Sequence, residues 1–414
     1  MPASTSAVPS APSDHYTIIT ADSHACGSHA AYREYLDPRF HEDFDAWRGK
    51  YKNPYKDLGD NRRLRNWDDE MRNGQQEEDG VVAEVVFPNT VPPFFPSFVL
   101  FARPPKADEY EHRRAGIHAH NRWLVDFCGE FPERRAGIGQ IFVNDIDDAI
   151  EDATWIAEHG LRGGVLLPNI APDVDWVKPL YDPGYDRLWS ALEDLDIPVN
   201  VHSGTGNPDY GPYPTSMLLY INEVVFYSQR PFVQFVLGGM FQRHPRLKFV
   251  ITEAGCSWMP PLLGQLDRIV ANIRDTGAMG EIRYGDDQKL AMLASECFEQ
   301  NCWMGVSQPG PADAEARHQI GLHKFMWGSD YPHDEGTYPH TREHLRSRFH
   351  DVAPAELHQM LAANAADLYG FDLEALAPLA KQFGPTVAEL AEPLTEMPEN
   401  PSQGLSKDFD ARAL

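Results

Sequence analysis

Four things are scarce in this chain, and each scarcity excludes something. Cysteines number five in 414 residues (Cys26, Cys128, Cys256, Cys297 and Cys302), scattered and without a C-x-x-C. A disulfide framework or a structural zinc finger is therefore not expected, and reduced thiols point to a cytoplasmic protein. Basic charge is short: 36 Lys and Arg face 62 Asp and Glu, a net charge of −26. That balance excludes a basic footprint for nucleic acid and disfavours an anionic membrane surface. No apolar run is long enough to span a bilayer. No G-x-G-x-x-G follows the first strand-like segment, which argues against a dinucleotide fold. The first residues, "MPASTSAVPSAPSD", lack the basic and apolar regions of a signal peptide and are expected to form a flexible leader over 1–14.

What is present is a rhythm. Short apolar runs recur and most end in polar or ionisable residues: Tyr16–His24, Val81–Asn89, Ala136–Asp145, Gly163–Asn169, Ile197–Gly204, Leu247–Gly255 and Lys324–His333. A weaker eighth, "ASECFEQNCWM" (Ala294–Met304), sits before the last of these. Helical patterns fill most gaps. In "DIDDAIEDATWIAEHG", Asp145 is placed to cap a helix and Gly160 to end it. Tyr185, Leu188, Trp189, Leu192 and Leu195 share one stripe, as do Leu357, Met360, Leu361 and Leu368. Alternating strands and helices imply a parallel sheet, and eight of them predict an α/β (β/α)8 barrel (TIM barrel) over 15–385. Two insertions, 31–79 and 90–106, follow strand ends and so fall on the C-terminal face, as lids or specificity walls or as plain surface elaboration. Residues 386–414 read as a C-terminal tail.

A barrel brings strand ends to one mouth. The first strand delivers Asp22 and His24, spaced i, i+2 so that both point to one face. The fifth delivers His202, the sixth Glu253, and the eighth Asp330 with His333 just after. Singly, each fits a structural role: a lone histidine is usually a hydrogen-bonded core residue, and Asp330 suits a helix cap. Together, two imidazoles and two carboxylates suit Zn²⁺, Mn²⁺ or Fe²⁺ with room for water.

"ADSH", "IPVNVHSG", "ITEAGCSWMPPLLGQLDR" and "MWGSDYPH" resemble the amidohydrolase-related family. That is the branch of the amidohydrolase superfamily which includes the aminocarboxymuconate-semialdehyde decarboxylase-like enzymes. The resemblance runs from about Tyr16 to Phe371 and implies a metal-dependent enzyme whose ligands fall on Asp22, His24, His202 and Asp330. The sequence departs from the superfamily in three places. The usual H-x-H is Asp22-Ser23-His24, the strand-4 bridging lysine or glutamate has no match beside Asn169, and Glu253 replaces a strand-6 histidine. The missing bridge implies one metal ion, with Glu253 offering a second, weaker site.

The leading expectation is hydrolysis of an ester, thioester, lactone or amide by metal-activated water, with Asp330 as base, Glu253 steering the water and His333 facing the oxyanion. The alternative is non-oxidative decarboxylation of an aromatic or unsaturated acid, in which Asp330 protonates carbon. The anionic Glu253 favours the first. A second alternative is a non-catalytic metal-binding barrel. The partner is a small hydrophobic or cyclic molecule, with Phe94, Phe95, Phe98, Phe101, Trp258 and Ser203–Pro214 as candidate pocket walls. Arg62, Arg63 and Arg65 read as a solvated basic cluster or an anion clamp. A homo-oligomer is expected.

Overall fold

The computed structural model describes residues 14–50, 61–89, 91–97, 100, 102–402 and 405. The leader before Asp14, the segment 51–60, Phe98, Phe101, the Arg62 side chain and nearly all of the tail beyond 402 lie outside the described residues.

Eight parallel strands form one sheet in chain order. They are β1 (Ile19–Ala25), β2 (Ala83–Pro88), β3 (Arg135–Gln140), β4 (Gly164–Leu166), β5 (Val199–His202), β6 (Phe249–Thr252), β7 (Cys302–Ser307) and β8 (Phe325–Gly328). Strands such as "VNVH" and "FVIT" are buried at every position, as befits strands covered on both faces. The sheet curls until its edges meet. There the seam is carried by a Ser23–Tyr331 bridge, by Asp330 N donating to Asp22 O at 3.0 Å and by His24 N donating to Tyr331 O at 2.7 Å. The fold is a (β/α)8 barrel.

One sequence-derived strand is corrected. Ala294–Asn301 is a helix, and the strand starts only at Cys302. The apolar residues Ala294, Cys297 and Phe298 recur at helical spacing and are all buried, so what reads as a broken strand is one amphipathic helix leading into β7.

The first insertion holds helices at His29–Tyr35, His41–Lys50 and Asp69–Glu78. The last of these is tied to the barrel by Arg72, fully buried. Its guanidinium pairs with Glu84 at 2.5 Å and donates to the His24 carbonyl at 2.8 Å. Tyr331 Oη donates to Gln75 on the same helix at 2.8 Å. Beyond β5, helix Ser216–Leu237 exposes Met217, Leu218, Ile221 and Phe226. Among the described residues no helix is long and apolar enough to cross a membrane.

Candidate metal centre

The barrel mouth gathers all six residues singled out from the sequence. In β1 the pairing register shifts between Thr20 and Ser23, so Ala21 and Asp22 oppose a single residue of β2. Such a bulge re-aims side chains at a strand end. Asp22, His24, His202 and Asp330 are each 1% exposed or less. Gly328 at the end of β8 makes the close approach possible. A Cβ there would lie 2.8 Å from that of Asp22 and 3.0 Å from Ser307 Oγ.

Two donor clusters share this space. Ligand atoms of Asp22, His24 and His202 lie within 4.8 Å of one another, and so do those of His24, Asp330 and His333. His24 Nε2 stands 3.3 Å from Asp22 Oδ1 and 3.3 Å from Asp330 Oδ1, and His202 Nε2 stands 3.4 Å from Asp22 Oδ1. The other ring nitrogens are turned outward: Nδ1 of His202 lies 2.9 Å from Ser203 O, and Nδ1 of His24 3.3 Å from Pro88 O. Donation to those carbonyls fixes the tautomer that leaves Nε2 as a lone-pair donor. Nε2 of His24 is buried without a hydrogen-bond partner, the condition of a metal ligand. Two imidazole nitrogens and two carboxylates fit a divalent transition metal.

Glu253, Asp330 and His333 form the acid–base side of the mouth, with Glu335 within the same 4.8 Å. His333 Nδ1 donates to Asp330 Oδ1 at 2.8 Å, and its ring stacks on His24 at 4.1 Å between centroids. Glu253 Oε2 stands 3.3 Å from His202 Nδ1. The backbone at Glu253, Gln308 and Asp330 is left-handed, with φ of 59°, 45° and 61°. Three non-glycine residues held this way at the ends of β6, β7 and β8 mark backbone strain gathered at one mouth.

The electrostatics divide the acids. Burial works to raise Asp22, but His202 and His24 outweigh it and hold the carboxyl far below the usual range. Asp330 is also held down, burial being outweighed by His333 and His24. Burial pulls His24 down, yet Asp22 and Asp330 carry it up to about 10. Glu253 is pushed well above the ordinary carboxylate value by burial and by the charges of Asp330 and Asp22. Its side chain keeps 24% of its surface exposed, at the edge of the cluster. A divalent cation among these donors would favour ionised carboxylates and neutral imidazoles.

Ser307 and Gln308 are site residues that the sequence reading misses. Ser307 Oγ donates to Asp22 Oδ2 at 2.5 Å and Gln308 Nε2 to Asp330 Oδ2 at 2.7 Å, leaving Oδ1 of each carboxylate toward His24. A strand taken to end at Met304 leaves both short of the mouth; a strand running to Ser307 is the signal that finds them.

Beside this centre, at the ends of β3, β4 and β5, lies a cavity of about 320 Å³. Its walls include Phe95, Phe142, Leu166, Arg103, Arg113 and the segment Gly204–Asp209. Of the expected wall residues, Phe95 and part of Ser203–Pro214 line it. Phe94 packs instead against Phe40, Phe44 and Trp47, and the Trp258 indole donates to Ala254 O. Arg65 lies over the Tyr338 ring and Arg63 is exposed; neither lines the cavity. All five cysteines are buried, and none is in a disulfide. Asn169 spends its amide on Tyr227 O and Thr205 O.

Comparison with known proteins agrees with this architecture. No curated protein matches the chain by sequence. Among solved structures it is similar to 5-carboxyvanillate decarboxylase from Sphingomonas paucimobilis, at 18% identity and a TM-score of 0.60 over 86% of this chain and 100% of that one. It is similar to 2,6-dihydroxybenzoate decarboxylase from Rhizobium, at 17% identity and a TM-score of 0.57 over 86% and 99%. A 5-carboxyvanillate decarboxylase from Novosphingobium aromaticivorans with bound manganese matches at 16% identity and a TM-score of 0.62 over 86% and 97%. The model of a family described as amidohydrolase matches residues 37–371, and the chain belongs to that family.

Proposed function

We propose that the chain is a metal-dependent lyase that removes CO₂ from a ring-bearing carboxylic acid without oxidation. The observation that carries this reading is the cavity beside the donor set, walled by Phe95, Phe142 and Leu166 and bearing Arg103 and Arg113. Its size and aromatic walls suit a ring, and the Arg113 guanidinium suits an acid, Arg103 being paired with Asp173. The sequence favours hydrolysis because the anionic Glu253 stands where a histidine is usual. Arg113 brings to the cavity a cation that the strand-6 position lacks. The likeness to decarboxylases supports the same reading.

Asp22, His24, His202 and Asp330 are the residues that would hold the ion, and manganese is the ion we propose, since a similar protein binds it. Such a cation supplies the electrophile that holds the substrate's carboxylate and a neighbouring oxygen. The rest belongs to the chain. The carbon–carboxylate bond breaks, its electron pair stays on the ring carbon, and CO₂ leaves. A proton is then delivered to that carbon from the Glu253, Asp330 and His333 cluster. Ser307 and Gln308 keep the two carboxylates oriented while the proton moves.

One observation favours the second reading, metal-assisted hydrolysis: Glu253 sits against His202, where it could orient a water. A panel of hydroxybenzoates and benzoate esters offered to manganese-loaded enzyme separates the two. Release of CO₂, lowered at least about 100-fold in kcat/KM by Asp330→Asn, is the expected outcome. Ester turnover without CO₂ would replace decarboxylation by hydrolysis, and full activity in the variant would defeat both.

A further inference from the structure

Glu253 and Gln308 are the first residues beyond β6 and β7, and both hold a left-handed backbone, with φ of 59° and 45°. Residues other than glycine stay in that region only where the surrounding structure over-determines them. Each turn also aims a side chain at the mouth. Glu253 Oε2 stands 3.3 Å from His202 Nδ1, and Gln308 Nε2 donates to Asp330 Oδ2 at 2.7 Å. A turn that relaxed to an ordinary φ would rotate its Cα–Cβ bond and carry the side chain off that target. Both turns therefore need a fastening.

One carboxylate serves the two of them. Asp313 sits on the short helix Pro311–Ala316, beyond β7. Its Oδ1 accepts from Cys256 N at 2.7 Å and from Ser257 N at 2.9 Å, and its Oδ2 accepts from Gly310 N at 3.1 Å. Cys256 lies three residues past Glu253, and Gly310 two past Gln308. The bond to Gly310 caps the helix that carries Asp313. The bonds to Cys256 and Ser257 cap nothing of that helix; they reach a turn 57 and 56 residues away in the chain. A carboxylate binds N–H groups more strongly than a neutral acceptor does. The β6 turn is shaped to receive it: Gly255 has φ of 63°, and a Cβ there would lie 3.0 Å from Asp313 Oδ1.

We propose that Asp313 is a positioning residue for the acid–base side of the mouth. Its carboxylate fastens the turn after β6 to the turn after β7, and so keeps Glu253 against His202 and Gln308 on Asp330. It acts through main chain alone and touches none of the residues it aligns. The inference rests on the decarboxylase reading only for the reaction that reports it, since that reading draws the proton from the cluster which Asp313 holds in register.

Two variants of the manganese-loaded enzyme test this. Asp313→Ala removes all three bonds. Asp313→Asn keeps one oxygen for the β6 turn but sets an amide N–H against Gly310 N, so its effect should fall between those of wild type and Asp313→Ala. Asp313→Ala is expected to lose on the order of 10- to 100-fold in kcat, the cost of small misplacements at a reacting centre. KM and the manganese Kd should stay within about threefold. A residue that only stabilised the fold would lower Tm and leave kcat of the folded, metal-loaded enzyme unchanged. In a Glu253→Gln, Gln308→Ala background the same substitution should cost no more than about twofold, because the groups it aligns are gone. A crystal structure of Asp313→Ala reads the geometry without turnover, and Glu253 is expected to have left His202. Unchanged kcat, an equal loss in the double-variant background, or an unmoved Glu253 each overturns the proposal. Where Asp313→Ala fails to fold, Asp313→Asn is held to the same three outcomes. Wild-type enzyme that turns over esters and releases no CO₂ overturns the decarboxylase reading instead, and the kcat comparison is then made on the ester.

Discussion

Asp79 is a buried acid that no cation answers at ion-pair distance among the described residues. It is 5% exposed and takes hydrogen bonds from Thr341 N at 3.0 Å and from the Thr341 hydroxyl. Burial pushes its carboxyl up to about 7, against those two bonds. A folded-state pKa above the unfolded value means the native state binds the extra proton between about pH 4 and 7. Stability should therefore fall as pH rises through that window and level off above it. Asp79→Asn, which cannot ionise, is expected to gain stability relative to wild type as pH goes from 5 to 8, by on the order of 2–4 kcal/mol. Urea unfolding at fixed pH values checks this, and a constant difference across the range would refute it. Residues of this kind also mark where sequence reading ends. Asp22, His24, His202 and Asp330 are legible because each closes an apolar run with a ligand-type side chain. Ser307, Gln308, Asp313 and Arg113 are ordinary polar residues in sequence. Their roles arise from partners that only the closed barrel supplies.

Helix Asp69–Glu78 has its role written in one side chain. Arg72 joins Glu84 on β2, the Ser23 hydroxyl and the His24 carbonyl on β1, and the Arg65 carbonyl within its own insertion. The insertion expected to be a lid or a surface elaboration thus also braces the strand that carries Asp22 and His24. Arg72→Met would leave Glu84 buried with one cation at ion-pair distance among the described residues, Arg135 at 3.4 Å, beside the neutral donors Ser23 and Gln76. A loss of about 3 kcal/mol in stability is expected, in line with breaking a buried pair. Weaker manganese binding should accompany it, because the His24 carbonyl loses its anchor. Chemical denaturation and metal titration measure the two effects, and a change in stability with unaltered affinity would mean that the brace ends at Glu84. At this scale strand order is legible, since every barrel strand ends close to an apolar run. The exception is the segment before β7. There a helix and a strand are fused into one apolar stretch with no glycine or proline between them, and periodicity alone divides it wrongly.

For the molecule as a whole, the donor set ties together strands that the chain places far apart. A ligand that binds only the folded state stabilises it in proportion to the logarithm of its concentration over Kd, about 4 kcal/mol at a thousandfold excess. Chelation of manganese-loaded protein with EDTA is expected to lower Tm by several degrees, and manganese, restored, to recover it. Scanning calorimetry checks this; an unchanged Tm in protein shown to have carried the ion would remove the metal from the fold's energetics. The seam has one more consequence, in time rather than space. Asp22 and His24 lie on the first strand, Asp330 just beyond the last, and the two ends of the sheet meet only through the few bonds around Ser23 and Tyr331. While the chain is being synthesised, β1 must wait with its donors unmatched until β8 has left the ribosome. A nascent chain cut short before Phe325 lacks both the closing strand and Asp330. On the metal-dependent reading, filling of this site would be a late, post-synthetic event, and it would report that the barrel has been completed.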